Sequence, residues 1–225
     1  MRPVSHSSAN LPLVPMTLFL IPVVAYLLGS IPFGVVLAGL FGGTDVRKAG
    51  SGNIGATNVA RVVGPLAGIL TLILDAAKGA AAVFFAVRLS NDSATWMMLA
   101  GLAVLVGHCF PVWLKFKGGK GVATAAGVFL VLSPMACAAA FVLFVLVVIF
   151  WRYISLGSIS AAGAMPLLTY FLWAPHHAPP LAITFGTLAA ALLIIYKHRG
   201  NLKRLVGGVE PKFSFSKKPD QEKGS

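Results

Sequence analysis

Residues 122–151 read VATAAGVFLVLSPMACAAAFVLFVLVVIFW, an uncharged run interrupted only by Ser133-Pro134. Crossing a bilayer takes about 20 apolar residues. The run is therefore either one long crossing or two short ones meeting at Ser133-Pro134. Proline disfavours helix at the residue before it, so Ser133 is a natural turn. Charge decides between the two. The flanks carry Lys115, Lys117 and Lys120 on one side and Arg152 on the other. With two crossings, both flanks fall on the same side of the bilayer. Lysine and arginine concentrate on the cytoplasmic side of membrane proteins, so the two-crossing reading fits.

Outward from this stretch, further apolar runs cover 16–40, 62–87, 94–106, 154–173 and 180–196. With 122–132 and 134–151 they make seven. If the N-terminus lies outside, every Lys and Arg except Arg2, Lys78 and Arg88 falls on the cytoplasmic side, including the C-terminal tail. The runs at 94–106 and 122–132 are short and must borrow length from neighbouring motifs or be partly buried half-helices. Trp96, Trp113, Trp151, Trp173 and Tyr196 lie near the proposed span ends, the headgroup level that amphipathic rings favour. The expectation is an all-α polytopic membrane bundle of seven transmembrane helices, N-terminus outside and C-terminus cytoplasmic. Residues 1–213 form its single transmembrane domain and 214–225 a polar, basic, disordered tail. The first run is too long for a signal peptide and is read as one retained helix.

Composition agrees. Only 11% of residues are charged and 57% are hydrophobic, against about 25% charged in soluble domains; mean hydropathy is +0.86. The net charge of +12 reads as topology and attraction to anionic lipid and phosphorylated substrate, not as nucleic-acid binding. Twenty-four glycines suit close helix packing in lipid. Cys109 and Cys137 sit among apolar residues with no metal spacing. Six acidic residues in all argue against a carboxylate metal site. No cofactor is expected.

Three polar motifs gather on the cytoplasmic side. SGNIGATNVAR, residues 51–61, joins two spans. Its glycines let backbone approach a ligand, Ser51, Asn53, Thr57 and Asn58 supply hydroxyls and amides, and Arg61 offers a fork for phosphate. The plain alternative is a capped helix start. FKGGKGVAT, residues 116–124, follows Gly107-His108. A glycine turn through Gly118, Gly119 and Gly121 opening a helix at Thr124 offers N–H groups to an anion, and Lys120 adds charge. Leu114 and Gly121 stand where a Walker A loop needs glycine and Ser/Thr, so nucleotide hydrolysis is excluded. A flexible basic loop is the alternative here, and a structural hydrogen bonder the alternative for His108. KHRGNLKR, residues 197–204, closes the last span. On a continuing helix His198 and Asn201 share a face, and Arg204 follows; a basic lipid anchor is the alternative. Deeper in the membrane, Asp75 and Lys78 are read as an ion pair facing the bundle interior. His176 and His177 receive no role.

No Ser–His–Asp arrangement can be argued from spacing, and no Asp lies five residues after any His, which excludes the H-x4-D acyltransferases. Rich in anion binders and poor in bases, the site suits a substrate that arrives activated. A phosphate-ester or lipid transporter is the competing reading, since anion sites between broken helices also build carriers.

The three motifs, in this order and with Gly208 and Glu210 after the third, closely resemble the bacterial acyl-phosphate-dependent glycerol-3-phosphate acyltransferases. The resemblance runs from about Gly29 to Phe213. It implies a seven-helix inner-membrane enzyme with its active site at the cytoplasmic face. It implies transfer of a fatty acyl group from acyl phosphate to the 1-hydroxyl of glycerol 3-phosphate, giving lysophosphatidic acid and inorganic phosphate, the first step of phospholipid synthesis. By position Ser51, Arg61, Lys120, His198 and Asn201 are the catalytic group. Asn53, Thr57, Asn58, His108, Gly118, Gly119, Gly121, Thr124 and Arg204 bind substrate, the three glycines holding the acyl phosphate's phosphate. The partners are the two phosphorylated substrates and the bilayer, with the protein a monomer and no nucleic acid bound.

Overall fold

The computed structural model describes residues 16–173 and 178–213. The expected tail, the N-terminal fourteen residues and His176 and His177 lie outside the described residues. Within them the regular structure is helical throughout: α1 Leu20–Gly29, α2 Phe33–Gly42, α3 Ala56–Val62, α4 Pro65–Leu89, α5 Ala94–Cys109, α6 Val122–Leu132, α7 Pro134–Trp151, α8 Ile154–Leu172, α9 Leu181–Lys197 and α10 Arg199–Val206.

Among the described residues, five segments are long and apolar enough to cross a bilayer: Met16–Gly42, Pro65–Leu89, Ala94–Leu114, Pro134–Trp151 and Ile154–Leu172. Leu181–Lys197 makes a sixth only together with Arg199–Val206, from which it is bent by 57°. Helix α6 has 11 residues, about 16 Å at 1.5 Å per residue, well short of a 30 Å hydrocarbon core.

Two elements differ from the sequence reading. The first apolar run is not one helix. It breaks between Gly29 and Phe33, because Pro32 has no N–H to donate and its ring opposes helix at the residues before it. The last motif is not a continuing helix either, since α9 stops at Lys197 and α10 sets off at an angle. Ser133-Pro134 behaves as expected, with Pro134 opening α7 and Ser133 between the two helices.

Close crossings fix the bundle. On the α4–α6 crossing, Gly79 lies against the Thr124 backbone and Gly127 against the Ala76 backbone. On the α1–α5 crossing, Gly29 meets Val104 and Gly107 meets Tyr26 in the same reciprocal way. A Cβ at any of the four would collide with backbone. Apolar collapse does not drive helices together in lipid, so such small-residue contacts, which maximise van der Waals packing, do. Around this interior, large apolar residues such as Val24, Phe85, Phe141, Phe150 and Phe171 stay exposed, as a lipid-facing surface requires.

The deep Asp75–Lys78 ion pair serves the break. Lys78 Nζ sits 2.8 Å from Asp75 Oδ1 and donates to the Ile31 carbonyl at 2.9 Å. That carbonyl lies in the non-helical turn between α1 and α2. Phe33 N–H also reaches this carbonyl, at 3.2 Å, and the lysine ammonium adds a charged donor that offsets the cost of placing non-helical backbone in lipid.

A cationic cleft as candidate active site

The ends of α2, α5, α7 and α9 and the starts of α4, α6 and α8 gather at one end of the bundle, where three loops meet. In the first loop Asn58 is 2% exposed and holds the backbone together. Its Oδ1 accepts from Ser51 N–H at 2.8 Å, and its Nδ2 donates to the carbonyls of Asn53, Val46 and Ala49 at 2.9, 3.1 and 3.1 Å. Asn53 Oδ1 accepts from Gly55 N–H at 2.8 Å. Val46, Ile54 and Val59 close beneath as a small apolar core. Gly52, at φ +69°, makes a turn that L residues rarely enter. The loop is thus stiff, and it presents Ser51.

The second loop folds back by capping α5, whose last carbonyls lack helical partners. His108 O accepts from Gly119 N–H at 3.1 Å and Cys109 O from Gly118 N–H at 3.2 Å. Cys109 O also accepts from Lys197 Nζ at 2.8 Å, and Phe110 O from the Tyr26 hydroxyl at 3.0 Å. So the N–H groups of Gly118 and Gly119 serve the turn itself. The orphan donors that could meet an anion are those of the first turn of α6. Gly119 presses on the His108 imidazole, leaving no room for a side chain. On its other edge, His108 Nδ1 lies 3.5 Å from Asp75 Oδ1. The buried Asp75–Lys78–His108 cluster therefore runs from the α1–α2 break to the loop that carries Lys120.

The third loop supplies a hydrogen-bonded chain. Lys120 Nζ donates to Asn201 Oδ1 at 2.6 Å, and Asn201 Nδ2 donates to Glu210 Oε1 at 2.6 Å. Ser155 Oγ donates to the same carboxylate at 2.7 Å and Arg204 Nε to its second oxygen at 2.7 Å. The pairing fixes the Asn201 amide orientation, oxygen to the ammonium and nitrogen to the carboxylate. Burial pushes the Lys120 amine down to about 8, with Arg204 and Arg61 adding to the effect and Glu210 opposing it. Burial alone would raise Glu210, but the bonds from Ser155, Asn201 and Arg204 outweigh it and hold the carboxyl below the usual range. His198, 2% exposed, stands at the α9–α10 bend with Nδ1 2.8 Å from the Ile194 carbonyl. A carbonyl can only accept, so Nδ1 carries the proton and Nε2 keeps its lone pair.

Between the loops lies a cleft of about 330 Å³ lined by Ser51, Gly52, Asn53, Gly118, Lys120, Lys197, Arg199, Gly200, Asn201 and Arg204. Six residues expected from sequence thus line one cleft: Ser51, Asn53, Gly118, Lys120, Asn201 and Arg204. Arg61 and Thr57 are exposed on α3 outside this lining, although the Arg61 charge reaches Lys120. Asn58, His108, Gly119, Gly121 and Thr124 are buried beneath the loops. Sequence reasoning assigned no site role to the cleft residues Lys197 and Arg199 or to Ser155, and Glu210 entered only as part of the family resemblance. Lys197 and Arg199 lay inside a motif already marked as basic. Glu210 carried a usable signal, being a lone acid in a strongly basic segment.

Comparison with known proteins places this chain in a family. A family model described as glycerol-3-phosphate acyltransferase matches residues 19–208. The glycerol-3-phosphate acyltransferase of Syntrophotalea carbinolica is 52% identical over 199 residues, covering 88% of this chain and 99% of the relative. That of Myxococcus xanthus is 50% identical over 190 residues, covering 84% and 95%. Two crystal structures of PlsY, an integral membrane glycerol 3-phosphate acyltransferase, share the fold. Its glycerol 3-phosphate form matches at a TM-score of 0.80 and 41% identity, and its lysophosphatidic acid form at 0.78 and 40%, each over 88% of this chain and 96% of that one. The sequence resemblance and the helical scaffold thus agree, and the chain belongs to the glycerol-3-phosphate acyltransferase family.

Proposed function

We propose that this protein transfers a fatty acyl group from acyl phosphate to the 1-hydroxyl of glycerol 3-phosphate, at the cytoplasmic face of a bacterial inner membrane. The observation that carries the reading is the cleft, where Lys120, Lys197, Arg199 and Arg204 stand beside Ser51 and Asn201. Both reactants are anions that repel each other, and a cationic, partly desolvated cleft offsets that repulsion. Holding a hydroxyl against a carbonyl carbon then converts a bimolecular encounter into an effectively unimolecular step.

In the step itself the 1-hydroxyl oxygen attacks the carbonyl carbon of the acyl phosphate, and the carbon–oxygen bond to phosphate breaks. The hydroxyl proton passes to a phosphate oxygen of the substrate, giving lysophosphatidic acid and inorganic phosphate. No acyl-enzyme forms. Lys120, held by Asn201, stabilises charge on the leaving phosphate. Arg204 and Arg61 hold the glycerol phosphate, and Ser51 orients the attacking hydroxyl. His198 contacts the glycerol phosphate without taking the transferred proton. Gly118, Gly119, Gly121 and the first turn of α6 bring backbone close to the acyl phosphate. Asn53, Asn58, Thr57, His108 and Thr124 serve binding through the loops they shape.

The topology that fits has seven crossings in one transmembrane unit, with α1 and α2 together as the first and α6 as the fourth. The N-terminus is then outside, and the enzyme works as a monomer. The test is purified protein in detergent with palmitoyl phosphate and glycerol 3-phosphate. Lysophosphatidic acid should form with no compartment present, and mass spectrometry of the quenched enzyme should show Ser51 unmodified. No product in detergent points to a carrier instead. An acyl adduct on Ser51 overturns direct transfer.

A further inference from the structure

A second cleft, of about 430 Å³, lies beside the first and is lined by Arg47, Gly52, Trp113, Leu114, Lys115 and Lys117. The two share Gly52. The reaction uses none of its other residues. Its chemistry is mixed: two lysines, and on the same turn the exposed apolar side chains of Val112, Trp113 and Phe116.

Arg47 adds little free charge. It is locked to Asp45 by Nε–Oδ1 and Nη2–Oδ2 hydrogen bonds of 2.8 and 2.9 Å, and that guanidinium holds the Asp45 carboxyl down at about 2. Lys115 and Lys117 have no carboxylate within ion-pair distance among the described residues. The backbone that presents them is unusual. Lys115 and Phe116 sit consecutively at φ +51° and +62°, a left-handed region that costs non-glycine residues of order 1 kcal/mol or more each. The turn is held there by hydrogen bonds to Pro111 O from Leu114 N–H at 3.1 Å and Phe116 N–H at 3.0 Å. Such strain persists where surrounding structure over-determines it, and it clusters at ligand clamps. Here it turns a lysine and an aromatic ring outward side by side.

We infer that this second cleft binds the headgroup of an anionic phospholipid of the surrounding leaflet. Lys115 and Lys117 meet the phosphate, and Trp113 and Phe116 lie at the boundary of headgroup and acyl chain, where tryptophan settles. Each lysine near an anionic membrane surface attracts it with about 1 kcal/mol, so two together give roughly a tenfold to thirtyfold preference over a zwitterionic lipid. A free phosphate ion would satisfy the lysines but leave the aromatic rim in water, so the lipid is the better occupant.

The test reads binding without turnover. Purified protein in detergent is titrated with short-chain phosphatidylglycerol, short-chain phosphatidylcholine and inorganic phosphate, and the thermal unfolding midpoint is followed. Phosphatidylglycerol should raise the midpoint saturably, while the other two at equal concentration should not. The Lys115→Gln/Lys117→Gln variant should need at least tenfold more phosphatidylglycerol for the same rise and should keep wild-type acyl transfer in phosphatidylcholine micelles. Trp113→Ala should weaken binding with both lysines present. An undiminished phosphatidylglycerol response in the double-lysine variant overturns the site. An equal response to inorganic phosphate shows a plain anion site and overturns the lipid assignment.

Discussion

At the scale of single residues, polar side chains of one motif do different work. Asn58 and Ser51 lie seven positions apart in one motif, yet Asn58 fills the loop from within and Ser51 faces the cleft. Sequence marked both as ligands because composition does not reveal which way a loop closes. Lys120 gives the sharpest prediction. Its amine titrates at about 8, so it is charged below that pH and neutral above. The kcat/KM for glycerol 3-phosphate should therefore fall as pH rises through about 8, and Lys120→Arg should move that limb upward; a rate profile flat from pH 7 to 9.5 contradicts the assigned charge role. The Asp75–Lys78 pair was legible, since charges inside a span need partners. Its hold on the Ile31 carbonyl was not, because that contact spans a distant break. Lys78→Met leaves the buried Asp75 carboxylate with only the His108 imidazole, 3.5 Å away, and removing one partner of a buried ion pair costs about 3–5 kcal/mol. Thermal unfolding should show a large drop for that variant and partial recovery in Asp75→Leu/Lys78→Met.

Helices show the same division between what the chain announces and what packing decides. The Ser133-Pro134 turn was readable from proline chemistry. The break at Pro32 obeyed the same rule, yet the length and hydropathy of residues 16–40 concealed it. The bend at His198 had no proline to mark it. There, the start of α10 answers to Asn201 and Arg204 reaching Glu210, a tertiary demand invisible to periodicity. The many glycines promised close crossings, but not which pairs. Gly79 and Gly127 are such a pair. Gly79→Leu should force α4 from α6, costing at least the 1–3 kcal/mol of ordinary overpacking. Because α6 begins just after Lys120, activity should fall together with the unfolding midpoint. A Gly79→Leu protein with wild-type stability contradicts the crossing.

For the whole molecule, the three motifs converge because the helices between them run alternately up and down the bundle and return their loops to the same end. The sequence reached this through its charge distribution alone, and the meeting of Ser51, Lys120 and Asn201 around one cleft agrees with it. Charge distribution could not show how the short α6 fits among longer neighbours. With seven crossings, a cysteine at Asn91 should react with an impermeant reagent from outside and one at Lys117 only from inside, in a background without Cys109 and Cys137. Labelling of both from one side contradicts the alternation. The most direct measurement is acyl transfer by purified protein with palmitoyl phosphate and glycerol 3-phosphate, wild type against Lys120→Ala. Removing a preorganised charge from a transition state typically costs 10²–10³-fold, so wild type should make lysophosphatidic acid and the variant at least about a hundredfold less while unfolding at an unchanged midpoint. A Lys120→Ala enzyme within a few fold of wild type would mean that the cationic cleft is not where the acyl group moves.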